Sequence, residues 1–357
     1  MEKIIFVIAD ITFVGGIERV NTLLANKFSD EGYCVEIVSL YNTNGVVNYT
    51  VNENIKIKFV NNTSYKGSPG SVGRLFAHIK SQLRLFKTLK ASRGDFYIIN
   101  TFPMAALSFF NTFFKGKFVV VEHVHHDYYK PVLKKLRCFL YKIYDKVVCI
   151  NESDFNKFSE NLSNTAKISN PLSFRTDKTS NLESKKIIAV GRLEYQKGFD
   201  LLIDVFSKVQ RVNTEWELHI YGVGTCRQFL NNKIEAYSLD NIKLKGSVDN
   251  IHEIYPEYSI FAFSSRFEGF GMVLLEAMEC GLPCISFDCP TGPAEILGNG
   301  EYGILIENGN IDEYAKNLLS LMESFKIRTE FSKLSRVRVE EFSIDKIFSE
   351  WESLIHS

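Results

Sequence analysis

Glu268 and Glu276 stand eight positions apart in SSRFEGFGMVLLEAMECGLPCIS, residues 264–286, with a Gly-Phe-Gly turn directly after the first. Val273 to Met278 holds strong helix formers and no breaker. This predicts a helix that opens just after Gly271, with Glu276 inside it and Glu268 on the loop before it. Unpaired backbone N–H groups at a helix start attract anions, and carboxylates accept hydrogen bonds from hydroxyls. The segment therefore suits a ligand that carries phosphates and sugar hydroxyls together, the chemistry of a nucleotide-sugar.

A second charged pair lies upstream. Arg192 and Lys197 occur in AVGRLEYQKGFDLL, between an apolar run and a helical period, and a second glycine loop follows at Gly222 to Gly224. Ligands of open α/β sheets bind at the carboxyl ends of strands, so two cations on such a loop can face a diphosphate. A divalent ion that neutralises a diphosphate is usually presented by an Asp-x-Asp pair, and this sequence has none. Fixed cations and a helix N-terminus can stabilise a departing diphosphate in its place.

The elements that must hold these residues follow from periodicity. Ile4 to Ala9 is continuously apolar, Gly15-Gly16 follows, and Ile17, Val20, Leu23, Leu24 and Phe28 recur at helical spacing before the next apolar run at Val35 to Leu40. Strand, glycine turn, helix, strand opens a parallel α/β sheet, and Phe96 to Asn100, Phe118 to Glu122 and Val147 to Ile150 continue it. Residues 151–186 are polar and rich in Ser and Asn, and are expected to form a linker. The pattern then restarts with a strand at Lys186 to Val190, a helix at Gly198 to Val209 and a strand at Glu217 to Tyr221. The expectation is an α/β chain of two Rossmann-like domains facing a cleft, residues 1–170 and 171–343. An amphipathic helix over 344–357 is expected to pack back on the first of them.

Composition narrows the class. The 357 residues suffice for two domains, and 45% hydrophobic with 24% charged residues describes a globular chain. Forty-two basic residues balance forty-two acidic ones, which argues against a nucleic-acid partner. Seven scattered cysteines with no C-x-x-C pair are expected to be buried reduced thiols of a cytoplasmic protein. The N-terminal MEKIIFVIADITF has the character of a first core strand, not of a signal peptide. No G-x-G-x-x-G follows that strand, which disfavours a nicotinamide dehydrogenase.

Four segments carry a resemblance. Gly15-Gly16-Ile17-Glu18-Arg19, then Gly191-Arg192-Leu193 with Gln196-Lys197-Gly198, then Glu268 with seven residues before Glu276, then Cys289 to Ile296 occur in this order. The set resembles the retaining glycosyltransferases of family 4 from about residue 3 to residue 350. The resemblance implies the GT-B fold, no metal and no other cofactor, with the donor on the C-terminal half and the acceptor on the N-terminal half. By position it implies that Arg192 and Lys197 neutralise the diphosphate, Glu268 holds sugar hydroxyls and Glu276 the ribose. Gly222 belongs to the second glycine loop, and the backbone at Phe270 and Gly271 helps to orient the donor. Gly16 would let its loop approach the diphosphate and acceptor without a side chain. The Cys-Pro-Thr-Gly-Pro loop is similar to that of transferases using UDP-activated galactose or its N-acetylated relatives.

His123, in VVVEHVHHDYY, matches a family histidine beside the donor sugar, and is assigned with Glu268 to the catalytic set. His125, His126 and Asp127 adjoin it, but if the strand persists His123 and His125 point to opposite sides, which argues against a shared ion. Gly15 and Glu18 are acceptor-side candidates, and Glu295 borders the same cleft or is structural. With Glu276 given to the ribose, no second carboxylate remains for a double displacement. Front-face transfer, with the leaving phosphate taking the acceptor proton, is the expected mechanism.

Seven basic and no acidic residues lie between Lys66 and Arg93, interleaved with Leu75, Phe76, Ile79, Leu83, Leu85, Phe86 and Leu89. Six more cations from Lys130 to Lys146 alternate with Leu133, Leu136, Phe139, Leu140 and Tyr144, and Phe109-Phe110 to Phe113-Phe114-Lys115 reads as exposed. Such stretches suit an anionic membrane surface. The expectation is a peripheral enzyme on the inner face of the cytoplasmic membrane, acting on an undecaprenyl-diphosphate-linked glycan in surface polysaccharide assembly. A nucleotide-sugar 2-epimerase and a non-catalytic binding subunit share the architecture and are the alternatives.

Overall fold

Runs of branched apolar residues without polar alternation belong to strands covered on both faces, and they form the middle of two parallel sheets here. The computed structural model describes residues 1–63 and 72–357, with side chains from residue 80 onward in the second stretch. Lys66 and the side chains of Arg74, Leu75, Phe76 and Ile79 lie outside the described residues. The chain forms two units, Met1–Pro171 with Ile344–Ser357, and Leu172–Ser343.

The first unit contains β1 (Lys3–Ile8), α1 (Gly16–Asp30), β2 (Cys34–Ser39), β3 (Lys56–Phe59), α2 (Val72–Ser92), β4 (Phe96–Asn100) and α3 (Phe102–Ser108). It continues with β5 (Lys117–Glu122), α4 (Pro131–Tyr141), β6 (Lys146–Cys149), α5 (Glu152–Ser159) and β7 (Thr165–Lys167). Its strands run parallel in the order β3-β2-β1-β4-β5-β6-β7, with Ile4, Ile5, Phe6, Val7 and Ile99 at its centre fully buried. The unit is completed by the last helix of the chain, Ile344–His356, whose Phe348 ring packs edge-on 5.0 Å from that of Phe28 on α1.

The expected linker is in large part a sheet edge. Asn151 caps α5 by accepting from the Asp154 amide, Phe158 and Leu162 are buried, and β7 pairs with β6. Polar composition concealed this because a short amphipathic helix needs only a few apolar contacts and a side-chain cap.

In the same unit, α4 is held by charge. Arg137 is fully buried, its Nη1 donates to Glu122 Oε2 at 3.1 Å, and Tyr141 OH donates to the same oxygen at 2.6 Å. The guanidinium also donates to the His126 carbonyl and lies against the rings of Tyr129 and Phe158. Burial pushes the Glu122 carboxyl above the usual carboxylate range, against the pull of Arg137.

The second unit contains β8 (Lys186–Val190), α6 (Phe199–Gln210), β9 (Glu217–Tyr221), α7 (Arg227–Ala236), β10 (Ile242–Gly246), α8 (Ile251–Ile254) and β11 (Ile260–Phe263). Next come α9 (Met272–Glu279), β12 (Cys284–Asp288), α10 (Pro293–Ile296), β13 (Ile304–Glu307), α11 (Ile311–Glu323) and α12 (Phe325–Arg338); the final helix of the chain, in the first unit, is α13. The parallel order is β10-β9-β8-β11-β12-β13. Its core joins Ile187, Ala189, Leu202, Phe206, Leu218, Ile285 and Leu318 between sheet and helices.

All seven cysteines are free thiols. Cys149, Cys280, Cys284 and Cys289 are buried as expected, and burial pushes the Cys280 and Cys289 thiols up to about 12. Cys34 departs from that expectation: it is exposed, because it opens β2 at the end of the sheet and not in its middle.

Replacing Arg137 with Met should strand Glu122 in an apolar setting and cost about 3 kcal/mol. Urea unfolding reads this loss, and a second change, Glu122→Leu, should recover most of it by removing the orphaned carboxyl.

Candidate functional site

In each sheet the strand order reverses once, and the loops on either side of that point leave for opposite faces, opening a crevice at the strand ends. In the second unit the reversal lies between β8 and β11. The loop after β8 carries Arg192 and Lys197, and the loop after β11 carries Glu268. Residues widely separated in sequence thus meet by topology.

Their contact is direct. Lys197 Nζ lies 2.6 Å from Glu268 Oε1, with both side chains largely withdrawn from solvent at 14% and 8% exposure. Ser265 Oγ donates to the same carboxylate oxygen at 2.6 Å, and the Thr291 hydroxyl donates to the Glu268 carbonyl. The ammonium also faces the Phe263 ring, 5.6 Å from its centroid. A lysine has three donors, so one bond to Glu268 leaves it able to contact an anion as well.

The two loops are stapled by groups to which the sequence reading gave no role. Arg266 forms a two-pronged pair with Asp200 at 2.8 and 2.6 Å and stacks 4.0 Å above the Tyr195 ring. Gln196 Nε2 donates to the Phe267 carbonyl at 3.0 Å, and the Arg266 amide donates back to the Gln196 carbonyl at 2.8 Å. The alternation of polar residues in RLEYQKGFD gave no sign of this; a planar fork needs its carboxylate in space, not in sequence. Arg192 is exposed, with Nη2 3.4 Å from Gln196 Oε1.

Two glycines let backbones touch around this crevice. Gly222 has φ +146°, and a Cβ there would sit 1.8 Å from the Gly191 carbonyl oxygen, so the loops after β8 and β9 can pack only without a side chain. Gly292, at φ +99°, would bring a Cβ within 2.0 Å of the Phe270 carbonyl oxygen. The Thr-Gly-Pro loop therefore lies against the loop of Glu268. The Phe270 side chain is buried against Phe342 at 5.9 Å between centroids, so only its backbone faces the loop. Gly271 is the N-cap of α9, as expected.

Glu276 occupies the second turn of α9, is buried, and accepts a hydrogen bond from Ser173 Oγ at 2.8 Å. Glu295 leaves its carbonyl to Arg338 Nη2 at 2.7 Å.

The first unit has its own polar cluster at its own reversal, between β1 and β4. His123 Nε2 lies 2.8 Å from Asn100 Oδ1. Asn100 Nδ2 donates to Asn21 Oδ1 at 2.7 Å and to the Val7 carbonyl, while Asn21 Nδ2 donates to Asn100 Oδ1 at 2.9 Å and to the Ile17 carbonyl at 2.8 Å. Carbonyls only accept, so both amides are fixed in orientation, and Asn100 Oδ1 must receive a proton from the histidine. His123 is therefore the Nε2–H tautomer, with Nδ1 as its acceptor face. Burial lowers its pKa to about 4, so the ring is neutral at physiological pH. Thr101, next to Asn100, has φ +74° and ψ +154°, a conformation that strains a β-branched residue. The two asparagines carry no motif and were missed.

β5 ends at Glu122, so the alternation expected for His123 and His125 does not apply. The His126 amide is instead drawn to Asp154 Oδ1 at 2.7 Å, and its ring packs on Phe158 at 4.7 Å. Gly15 is the N-cap of α1 and Gly16 its first residue. The Glu18 carboxylate folds over Gly15, and burial, followed by the nearby charge of Asp10, raises its pKa.

Residues 173–338, nearly all of the second unit, match the family Glycosyl transferases group 1. The amylovoran biosynthesis glycosyltransferase AmsD of Erwinia amylovora is 27% identical over 379 residues, 100% of each chain. A Campylobacter jejuni alpha-1,4-N-acetyl-D-galactosaminyltransferase, named for GalNAc-alpha-(1->4)-GalNAc-alpha-(1->3)-diNAcBac-PP-undecaprenol, is 24% identical over 366 residues, 99% of this chain and 98% of that one. Among solved structures, S. aureus TarM, crystallised with fondaparinux, alpha-GlcNAc-glycerol and UDP, superposes with a TM-score of 0.83 at 17% identity over 100% of both chains.

Because the folded state holds His123 below its ordinary pKa, it binds fewer protons than the unfolded chain below pH 6.5. Stability is then fully present above that value and drains away as pH falls toward 4. Between pH 7.5 and pH 5 the loss should be about 2 kcal/mol. Urea unfolding at the two pH values checks this, and His123→Gln should flatten the difference.

Proposed function

We infer that the second unit is a glycosyl transferases group 1 domain and the chain a GT-B glycosyltransferase of bacterial polysaccharide biosynthesis, a reading supported by the family match over residues 173–338, by the similarity to AmsD and by the shared fold of TarM. We propose that it moves a hexose or N-acetylhexosamine from a UDP-activated donor, of the galactose or N-acetylgalactosamine kind, to a glycan carried on undecaprenyl diphosphate. The observation that carries the reading is the Lys197–Glu268 pair at the strand reversal of the second sheet. A similar chain matched over its whole length is named for a PP-undecaprenol substrate, which supports the lipid-linked acceptor.

In this reading the second unit takes the donor. Negative charge grows on the diphosphate as the glycosidic bond lengthens, and Lys197 with Arg192 stabilises it without a metal ion. Lys197 and Ser265 hold Glu268 by Oε1, which presents Oε2 to the sugar hydroxyls. Glu276, held by Ser173, takes the ribose, and the backbone at Phe270 and Gly271 with the Gly222 loop borders the nucleotide. The first unit takes the acceptor through the loop of Gly15, Gly16 and Glu18.

His123 serves as a neutral hydrogen-bond partner of a sugar hydroxyl. A ring with a pKa near 4 is a poor base at pH 7, so the acceptor proton passes to the leaving phosphate. The anomeric configuration is then retained by attack on the face the phosphate leaves.

Glu268→Gln and Lys197→Met should each lower kcat/KM by about 100-fold or more, read as acceptor-dependent release of UDP. A chelator should leave the wild-type rate unchanged. Full activity in Glu268→Gln, metal dependence, or a glycosyl adduct trapped on Glu268 would each overturn the mechanism, and release of UDP without acceptor would favour an epimerase.

A further inference from the structure

Helix α4 is built inside out. Arg137 and Tyr141 are its buried residues, whereas Val132, Leu133, Leu136 and Phe139 are exposed, as is Ile143 just past its end. Val132 is 80% exposed and Phe139 65%. Spacings of three and four residues set these side chains along one helix face. An ordinary surface helix turns its apolar stripe to the core and its charges to water. Here the buried ion pair with Glu122 holds the helix, which frees the apolar stripe to face outward.

Charge defines what can cover it. Lys130, Lys135 and Lys142 are exposed along the helix, and the sequence has no acidic residue between Asp127 and Asp145. Lys134 turns aside, to Asp127. Exposed Phe110 and Phe113 follow directly on α3, which packs against α4. Aliphatic and aromatic side chains with lysines beside them match the boundary of an anionic bilayer, where apolar groups enter the acyl region and ammonium groups meet phosphates. Eleven residues are too few to span a bilayer, so the helix would lie in its surface.

We propose that the first unit docks on an anionic lipid bilayer through the outward stripe of α4, with Lys130, Lys135 and Lys142 on the headgroups. The proposal takes from the transferase reading only that the acceptor is lipid-borne. It makes α4 the element that brings the enzyme to the surface where such an acceptor resides.

Co-sedimentation of the full chain with phosphatidylglycerol-containing vesicles and with pure phosphatidylcholine vesicles tests this, without donor or acceptor present. Each lysine near an anionic surface strengthens binding about fivefold, so Lys135→Gln with Lys142→Gln should weaken it about 25-fold. Leu136→Ser with Phe139→Ser should weaken it about tenfold or more. Lys316→Gln with Lys333→Gln, two exposed lysines of the second unit, should bind as wild type does. Circular dichroism confirms that each variant is folded. Equal binding to phosphatidylcholine, or binding unchanged by the α4 variants, would overturn the proposal. So would a wild-type dimer that Leu136→Ser with Phe139→Ser makes monomeric, because the stripe would then belong to a second copy. UDP release with a soluble acceptor, measured on the same preparations, tells failure of docking from failure of the transferase reading.

Discussion

Parallel strands cannot be joined by tight turns, so each must be followed by a crossover, and the direction of the crossovers can change only where the strand order reverses. This one constraint organises both units. In the second sheet it sets the loop after β8 beside the loop after β11, and Lys197 meets Glu268 there although 71 residues separate them. In the first sheet it sets α1 and the end of β4 side by side, and Asn21 meets Asn100 across 79 residues. Neither pair has any local reason to form. Each exists because the sheet leaves only one place where side chains from different crossovers can converge.

The Lys197–Glu268 pair is a poor investment for folding alone. Two largely desolvated charges recover little more in mutual attraction than they lose in hydration, and an apolar pair of similar volume would serve as well. What an apolar pair cannot do is wait with an ammonium and a carboxylate at fixed spacing. The surrounding bonds, from Ser265 to the carboxylate and from Thr291 to its backbone, with the Arg266–Asp200 fork beside them, fix the geometry before any ligand arrives. Pre-organised charge of this kind needs no rearrangement when new charge develops beside it.

The strands and the major helices were legible because their signals are periodic. Ile4 to Ile8 could only be a doubly covered strand, and Ile17, Val20, Leu24 and Phe28 could only face one side of a helix. The charged residues that meet in the candidate site were legible through their neighbours: a lysine before Gly198 and a glutamate before Gly269-Phe270-Gly271 are marked by the turns they occupy. Asn21, Asn100, Asp200, Arg266 and Ser265 were not. Each stands within an ordinary element or loop, and its role arises from a partner chosen by topology. Residues 151–168 failed for a different reason: their apolar contacts are few, and an Asn cap with a short edge strand leaves almost no periodic trace. In α4 the apolar period was plain, but its direction was not. Periodicity shows that a helix has two faces; only the burial of Arg137 shows which of them looks inward.

The neutrality of His123 constrains the chemistry as much as any charge does. Its Nε2 proton is committed to Asn100, and Asn100 is locked by Asn21, whose own amide is tied to the Ile17 carbonyl. Protonating Nδ1 would place a cation in a site that burial keeps apolar, and the lowered pKa expresses that cost. The ring can therefore orient a hydroxyl but cannot carry its proton away. In the transfer proposed above, the base then has to lie on the substrate, where the oxygen that becomes basic as the bond breaks is that of the departing phosphate. The asparagine pair thus fixes the tautomer and burial fixes the charge: together they leave Nδ1 as a neutral acceptor face.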